Sequence, residues 1–368
     1  MDNTFISNSP WGDILQFWQW GETKKTEGWE PFFVGENLPV KSMVLVKKVP
    51  GIGNYAYIPH GPVFQSVDDL RSDIDAWKKE LVEFARSKNC FVVEIDPKVG
   101  FLREEKREVE NVDSDLREKN EIINKNIENL AHFYNPEILD ILKKAGFRTT
   151  SRNMQPLYKL LYSLELTNDE LMSLMDKSTR YNIGYAERKG VIVKEYLPDD
   201  PQIEEKLKVF YGLLKEMQQR VGGYPVRPYE SFVKLFESFK GTKNIALMEA
   251  SYEGDVIIMT ISQFTDKWSS SFYAGSNRLN SKVKAPYLIR WKAIQRAREF
   301  GSKVYDFWGI IPNSAQHKGY SDHKLNFGGA RIDHVGLMQM PLNGWKVAVF
   351  NTVLPMRAKF ADLKRKIF

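Results

Sequence analysis

One cysteine in 368 residues, Cys90, excludes a disulfide framework and any zinc site built on cysteine. It stands just before an apolar strand, where a buried, inert thiol belongs. Histidine is almost as sparse. His60, His132, His317, His323 and His334 are scattered without H-E-x-x-H spacing, so no metal is expected, and no other pattern calls for a cofactor. No apolar run reaches the roughly 18 to 20 residues that span a bilayer. The first twenty residues, acidic at Asp2 and Asp13, lack a signal peptide's basic start, which makes a soluble cytoplasmic protein the expectation. No G-x-S-x-G elbow occurs, and Gly51-Ile52-Gly53 lacks the third glycine of a phosphate loop and follows Pro50 as a hairpin turn would. Neither charge sign dominates: 53 Lys and Arg against 47 Asp and Glu leave a net +6, too small an excess to name nucleic acid, and no stable DNA binding is expected.

What the chain has is apolar material, 42% hydrophobic and 13% aromatic, over a length that implies two domains. Its pattern repeats. Residues 41–96 read as a strand (43–46), a turn, a strand (55–58), a small loop at His60-Gly61-Pro62, a helix with Ile74, Trp77, Leu81 and Ala85 on one face, and a strand over 91–96. Residues 245–310 repeat that order, with strands over 245–252, 256–264 and 270–274, a loop at Gly275-Ser276, a helix over 287–300 stopped by Gly301, and a strand over 304–307. The spacing of apolar residues switches from about two in the strands to about 3.6 in the helices. Two such units imply a duplicated α/β fold whose halves meet near 146–152. Between them, residues 103–130 mix both charge signs as a solvated helix does, and 204–217 read as an ordinary packed helix.

Four segments carry polar and aromatic residues that plain core or plain surface does not need. Residues 16–24 hold Trp18 and Trp20, which an amphipathic helix explains, and Lys24, which it leaves free. Residues 177–191 predict a basic helix capped by Ser178 or Thr179, either a solvated face or an anion site. In Arg220-Val221-Gly222-Gly223-Tyr224, followed by Arg227 and Tyr229, paired glycines let backbone approach a ligand while Arg and Tyr offer a phosphate fork and a ring. Finally, the strand ending at Phe307-Trp308-Gly309 feeds a glycine-bounded loop, 317–329, rich in titratable groups, the usual seat of function on an α/β scaffold.

In order and in company with the repeat, these segments resemble the Fem (FemABX) family of peptidoglycan bridge-forming aminoacyltransferases, from Gln16 and Lys24 through Gln155-Pro156 to Phe327-Gly328-Gly329. The resemblance implies an α/β fold of two tandem GNAT-like (acetyltransferase-like) domains, mixed β-sheets flanked by helices. The first would take 1–148 plus 335–368 and the second 149–334. Some members carry a long coiled-coil arm in the second domain; no heptad hairpin interrupts 190–250, so this chain is similar to the shorter, armless type. The implied activity is transfer of an amino acid from aminoacyl-tRNA to the third-residue amine of a muropeptide stem, on UDP-MurNAc-pentapeptide or its lipid-linked form, to build the interpeptide bridge. By the same resemblance Lys24, Arg220, Tyr224 and Tyr273 hold the muropeptide, and Lys324 stabilises the oxyanion beside the reacting ester. His323 stands where relatives commonly have an aromatic residue, and it could stack or titrate.

The rival is an acyl-CoA-dependent N-acyltransferase on the same fold. Its glycine-rich pyrophosphate turn is missing both after Tyr57 and after Tyr273, which disfavours CoA. A non-catalytic RNA-binding protein would need no lysine in a glycine-bounded loop. Seven cations against one acid over 282–303, and five against Asp362 over 357–366, offer surfaces for tRNA phosphates, and the second also for peripheral contact with anionic lipid.

Overall fold

The computed structural model describes residues 3–103, 114–222, 225–312 and 318–352. Helices α1 (Asn3–Asn8) and α2 (Trp18–Lys24) lead into strands β1 (Glu30–Val34), β2 (Ser42–Val49) and β3 (Gly53–Pro59), helix α3 (Val67–Ser87), and strands β4 (Cys90–Asp96) and β5 (Gly100–Arg103). Next come α4 (Ser114–Ala131), α5 (Glu137–Lys144), β6 (Arg148–Thr149), β7 (Tyr158–Ser163), α6 (Asn168–Leu174), α7 (Lys177–Arg188), β8 (Ile192–Tyr196), α8 (Ile203–Arg220) and α9 (Tyr229–Ser238). The chain continues through β9 (Ile245–Tyr252), β10 (Asp255–Phe264), β11 (Trp268–Ser276), α10 (Ala285–Phe300), β12 (Val304–Ile310), α11 (Lys318–Leu325), β13 (Ala330–His334) and β14 (Met338–Pro341).

Two mixed sheets result, ordered β1-β2-β3-β4-β14-β6 and β5-β13-β7-β12-β11-β10-β9-β8. The repeat read in the sequence is present in both. The hairpin β2/β3 is followed by α3 and by β4, parallel to β3; the hairpin β10/β11 is followed by α10 and by β12, parallel to β11. Each sheet also takes a strand from far along the chain. β5 pairs with β13 in the larger sheet, and β14 enters the smaller one between β4 and β6.

Local chemistry sets the helices. Ser66 and Asp69 form a reciprocal capping box at the start of α3, whose Leu70, Ile74, Trp77, Leu81 and Ala85 are buried against Val44, Ile58 and Val93. Each large aliphatic or aromatic side chain buried in this way contributes about 1.5–3 kcal/mol. Gly301, left-handed at φ 98°, ends α10 as its sequence position predicts. α7 departs from expectation. Its N-cap is Asp176 rather than Ser178 or Thr179, because the Asp176 carbonyl accepts from the Thr179 and Arg180 amides; Thr179 is buried inside the helix. Part of the loop expected over 317–329 is also helix, α11. Its buried face carries the polar Ser321 and Lys324, so no apolar period announced it.

A shared core joins the sheets. Phe17 stacks on Phe239 with centroids 6.5 Å apart, and Trp20 meets Phe272 edge-on at 5.7 Å. The Trp268 indole donates to the Pro10 carbonyl at 2.8 Å, tying β11 to the N-terminal segment. No helix among the described residues is long and apolar enough to cross a membrane.

Candidate active site

β11 and β12 pair only over Trp268–Ser270 and Val304–Asp306, although both strands run on. Beyond that point they part, and Phe272, Tyr273 and Trp308 face a cavity of about 440 Å³. Its opposite wall comes from the smaller sheet and α2, through Leu45, Tyr57, Pro59, Trp20 and Lys24, and Met154, Gln155 and Pro156 close one side. A cavity at the junction of two units, mostly apolar with a few convergent polar groups, is the usual form of a small-ligand site.

The polar groups are grouped at one end. Lys24 is buried yet pairs with Glu27, Nζ to Oε1 at 3.1 Å, and lies 4.8 Å over the Trp20 ring. Glu27 pairs also with Arg227, whose guanidinium sits 5.7 Å over the ring of Tyr273. Two cations thus share one carboxylate, leaving an excess positive charge for an anionic group. Burial, helped by Arg227 and opposed by Glu27, lowers the Lys24 amine to about 8. Burial pushes the Tyr273 hydroxyl up, against the pull of Arg227, so the ring is a neutral donor.

Behind the Trp308 wall lies Lys324. It is buried, and its Nζ donates to the Gly309 carbonyl at 2.6 Å and to the Tyr320 hydroxyl. Burial, with Arg290 nearby, holds its pKa well below the ordinary lysine value, and Asp306 opposes the shift only in part. His323 packs edge-on against Tyr287 at 4.6 Å and Phe327 at 5.5 Å, and its Nε2 accepts from Arg290 Nε at 3.4 Å. Burial, then Arg290 and Lys324, lower it to about 3, so the ring is neutral at physiological pH.

The structure therefore brings Lys24 and Tyr273 into one cavity and sets Lys324 and His323 one strand away from it. Arg220 stands outside that lining. At the end of α8 it donates to the Ser276 carbonyl at 3.0 Å and clamps α8 to β11. Tyr224, His317 and the basic stretch 357–366 lie outside the described residues. Lys24 is not free, as the segment alone implied, because Glu27 holds it. Sequence reasoning missed Glu27, Tyr57 and Phe272; the signal available was position alone, Glu27 one turn after Lys24 and Phe272 beside Tyr273. Cys90 is buried and its thiol is pushed up to about 11 by burial, the inert state expected. The cations of 282–303 are mostly spoken for: Lys292 pairs with Glu187, Arg296 with Glu195 and Lys303 with Glu165, and Arg298 bonds to Asn168. Among the described residues no group of three or more His, Cys, Asp or Glu could hold a metal ion.

Two sheets built on one hairpin, helix and parallel strand, with a cavity where β11 and β12 part, define the class: a tandem GNAT-like α/β fold. A model of the FemAB family matches residues 2–253 and 249–354, and the chain belongs to that family. It is similar to the lipid II:glycine glycyltransferase of Staphylococcus epidermidis, 24% identical over 268 residues that make up 71% of this chain and 56% of that protein. The enzyme of that name from Staphylococcus aureus is 24% identical over 245 residues, 64% of this chain and 49% of its own. The chain thus spans about half the length of the curated relatives it matches. Among solved structures, FemX superposes with a TM-score of 0.74 at 18% identity, covering 93% of this chain and 95% of its own. L-PGS from Bacillus licheniformis superposes at 0.51 with 12% identity, over 88% of each chain. These likenesses carry the fold.

Proposed function

We propose that this protein is an aminoacyltransferase that moves an amino acid from aminoacyl-tRNA to the third-residue amine of a peptidoglycan precursor stem peptide, in the cytoplasm. An aminoacyl ester is already activated, so its conversion to an amide needs neither ATP nor a metal. The observation that carries the reading is the placement of Lys324, a buried amine on the Gly309 carbonyl, directly behind the wall of a cavity whose far end holds Lys24, Arg227 and Tyr273. The cations and rings suit the pyrophosphate and sugar of a UDP-linked or lipid-linked muropeptide. Lys324 would meet the ester carbonyl as negative charge develops on its oxygen. His323, neutral and packed between rings, would support Lys324 and Arg290 rather than carry a proton.

The names of the staphylococcal relatives favour the lipid-linked acceptor. Arg220, clamping α8 to β11, would act on the acceptor site from its edge, with Tyr224 a few residues beyond. We assign 1–148 with 335–368 to one unit and 149–334 to the other, with β5 of the first crossing into the sheet of the second. The deciding experiment supplies the protein with radiolabelled aminoacyl-tRNAs and UDP-MurNAc-pentapeptide or lipid-linked muropeptide, with labelled acetyl-CoA as the control. Label reaching the muropeptide from tRNA alone is the expected result. Label from acetyl-CoA alone overturns the reading.

A further inference from the structure

β12 does not run straight past the cavity. Its pairing with β7 steps from Asp306↔Leu161 to Gly309↔Lys159, so one extra residue is accommodated on β12 between those pairs. Such bulges bend a strand and re-aim a side chain, and they recur beside active sites. Here the residue affected is Trp308, which adopts a left-handed φ of 62°, a costly conformation for a bulky side chain unless its neighbours impose it.

Two buried residues impose it. Asp306 Oδ1 accepts the Trp308 amide at 2.7 Å, while its Oδ2 pairs with Lys159 Nζ at 2.9 Å. Lys159 in turn lies 4.5 Å over the Trp308 indole. The same bulge turns the next carbonyl, that of Gly309, towards Lys324, and the bare Cα of Gly309 leaves room for Pro156, which a Cβ would meet at 2.6 Å. On its other side the indole packs edge-on against Phe272 at 4.9 Å. One irregularity therefore places both the wall of the cavity and the anchor of the buried amine. Neither Lys159 nor Asp306 lines the cavity.

Resting on the transferase reading above, we propose that Trp308 is a specificity-determining wall of the acceptor cavity, and that Asp306 and Lys159 are positioning residues that fix this wall and the Lys324 amine together through the bulge.

Two variants separate the parts. Trp308→Gly accepts the left-handed backbone without strain and removes the wall, with its ring contacts to Lys159 and Phe272, while leaving the Asp306–Lys159 pair in place. It is expected to raise the acceptor KM at least about tenfold while kcat stays within about threefold. The double variant Asp306→Asn, Lys159→Met removes both charges together, leaving neither buried alone, and keeps an oxygen for the Trp308 amide. It is expected to raise the acceptor KM and lower kcat, each by about tenfold or more.

A second measurement is independent of turnover. The rate at which an amine-reactive ester labels Lys324, read by peptide mass spectrometry, should rise about tenfold or more in the double variant as the Gly309 anchor loosens. Lys206, held by Glu249 at 2.8 Å beside the Tyr196 ring and in contact with neither Asp306 nor Lys159, should keep its labelling rate and so reports that the fold is intact. An unchanged KM in Trp308→Gly overturns the wall. Lys324 labelling that stays at the wild-type rate, or rises only together with that of Lys206, overturns the positioning role. If the wild-type protein transfers from no aminoacyl-tRNA, the transferase reading and the wall fall together, and the labelling alone decides the positioning.

Discussion

The Lys324 amine donates to the Gly309 carbonyl at 2.6 Å, and Gly309 is also the residue whose missing side chain lets Pro156 close the cavity. An amine held by a backbone carbonyl and a hydroxyl, with no carboxylate on it, is preorganised and can turn to a developing oxyanion without first breaking an ion pair. Lys324→Met should therefore lower turnover by about two orders of magnitude or more, with acceptor affinity within about threefold of wild type. Steady-state kinetics together with calorimetric titration of the muropeptide checks this. A matched loss of affinity and rate would make Lys324 a binding residue.

Lys24 gives a pH signature. Its amine is lowered to about 8 by burial with Arg227 beside it, so it loses its charge within an accessible range, whereas Arg227 does not. Because the folded pKa lies below the ordinary 10.5, burying the charged amine costs stability in full below about 8, and this cost is relieved progressively as pH rises from about 8 to 10.5. For an anionic acceptor the sign is opposite. Affinity should be greatest below pH 8 and fall above it, and Lys24→Met should flatten the profile at the weaker level. Calorimetry between pH 6.5 and 9.5 reads this, and a wild-type profile without a break near 8 would count against Lys24 as a phosphate contact.

His323 should show the reverse, no titration at all near neutrality. Burial, Arg290 and Lys324 lower it to about 3, and rings enclose it on two sides. His323→Phe keeps that packing and should retain turnover to within about threefold, whereas His323→Ala, which opens a cavity behind Lys324, should lose more. The pH dependence of kcat compared across the three proteins checks this. If the phenylalanine variant is as poor as the alanine one, the imidazole itself is needed.

The duplicated hairpin, helix and parallel strand were legible because alternation and 3.6-residue spacing are local properties of the chain. β9 runs over the residues the pattern marks, and α10 ends at the glycine that predicts it. α11 was illegible for the opposite reason: the side chains it buries include Ser321 and Lys324, so the helical period carried no hydrophobic signal. In the segment 220–229 the sequence singled out Arg220 as the binding residue and left Arg227 unassigned; the fold shows that Arg227 lines the cavity while Arg220, at the end of α8, holds Ser276. The basic run over 282–303 counted charges but not their partners, since Glu165, Glu187 and Glu195 arrive from more than a hundred residues upstream.

The glycine pair after Phe327 shows how a motif beside a reacting group can be structural. Gly328 has a left-handed φ of 79°, and a Cβ there would fall 2.1 Å from the Leu174 carbonyl oxygen; at Gly329, φ 104°, it would fall 2.6 Å from the Leu161 carbonyl oxygen. The Tyr162 hydroxyl donates to the Phe327 carbonyl at the same crossing, so this backbone has little freedom to move aside. Gly328→Ala combines strain with overpacking and should cost about 3 kcal/mol of stability. Gly319 is the control. It lies in α11, exposed, with open space around a built Cβ, so Gly319→Ala should stabilise by roughly 0.5–1 kcal/mol. Denaturant unfolding of the two variants reads the difference. If Gly328→Ala proves as stable as wild type but loses turnover, the glycine meets substrate directly; the packing requires instead that its turnover fall only as its folded fraction falls.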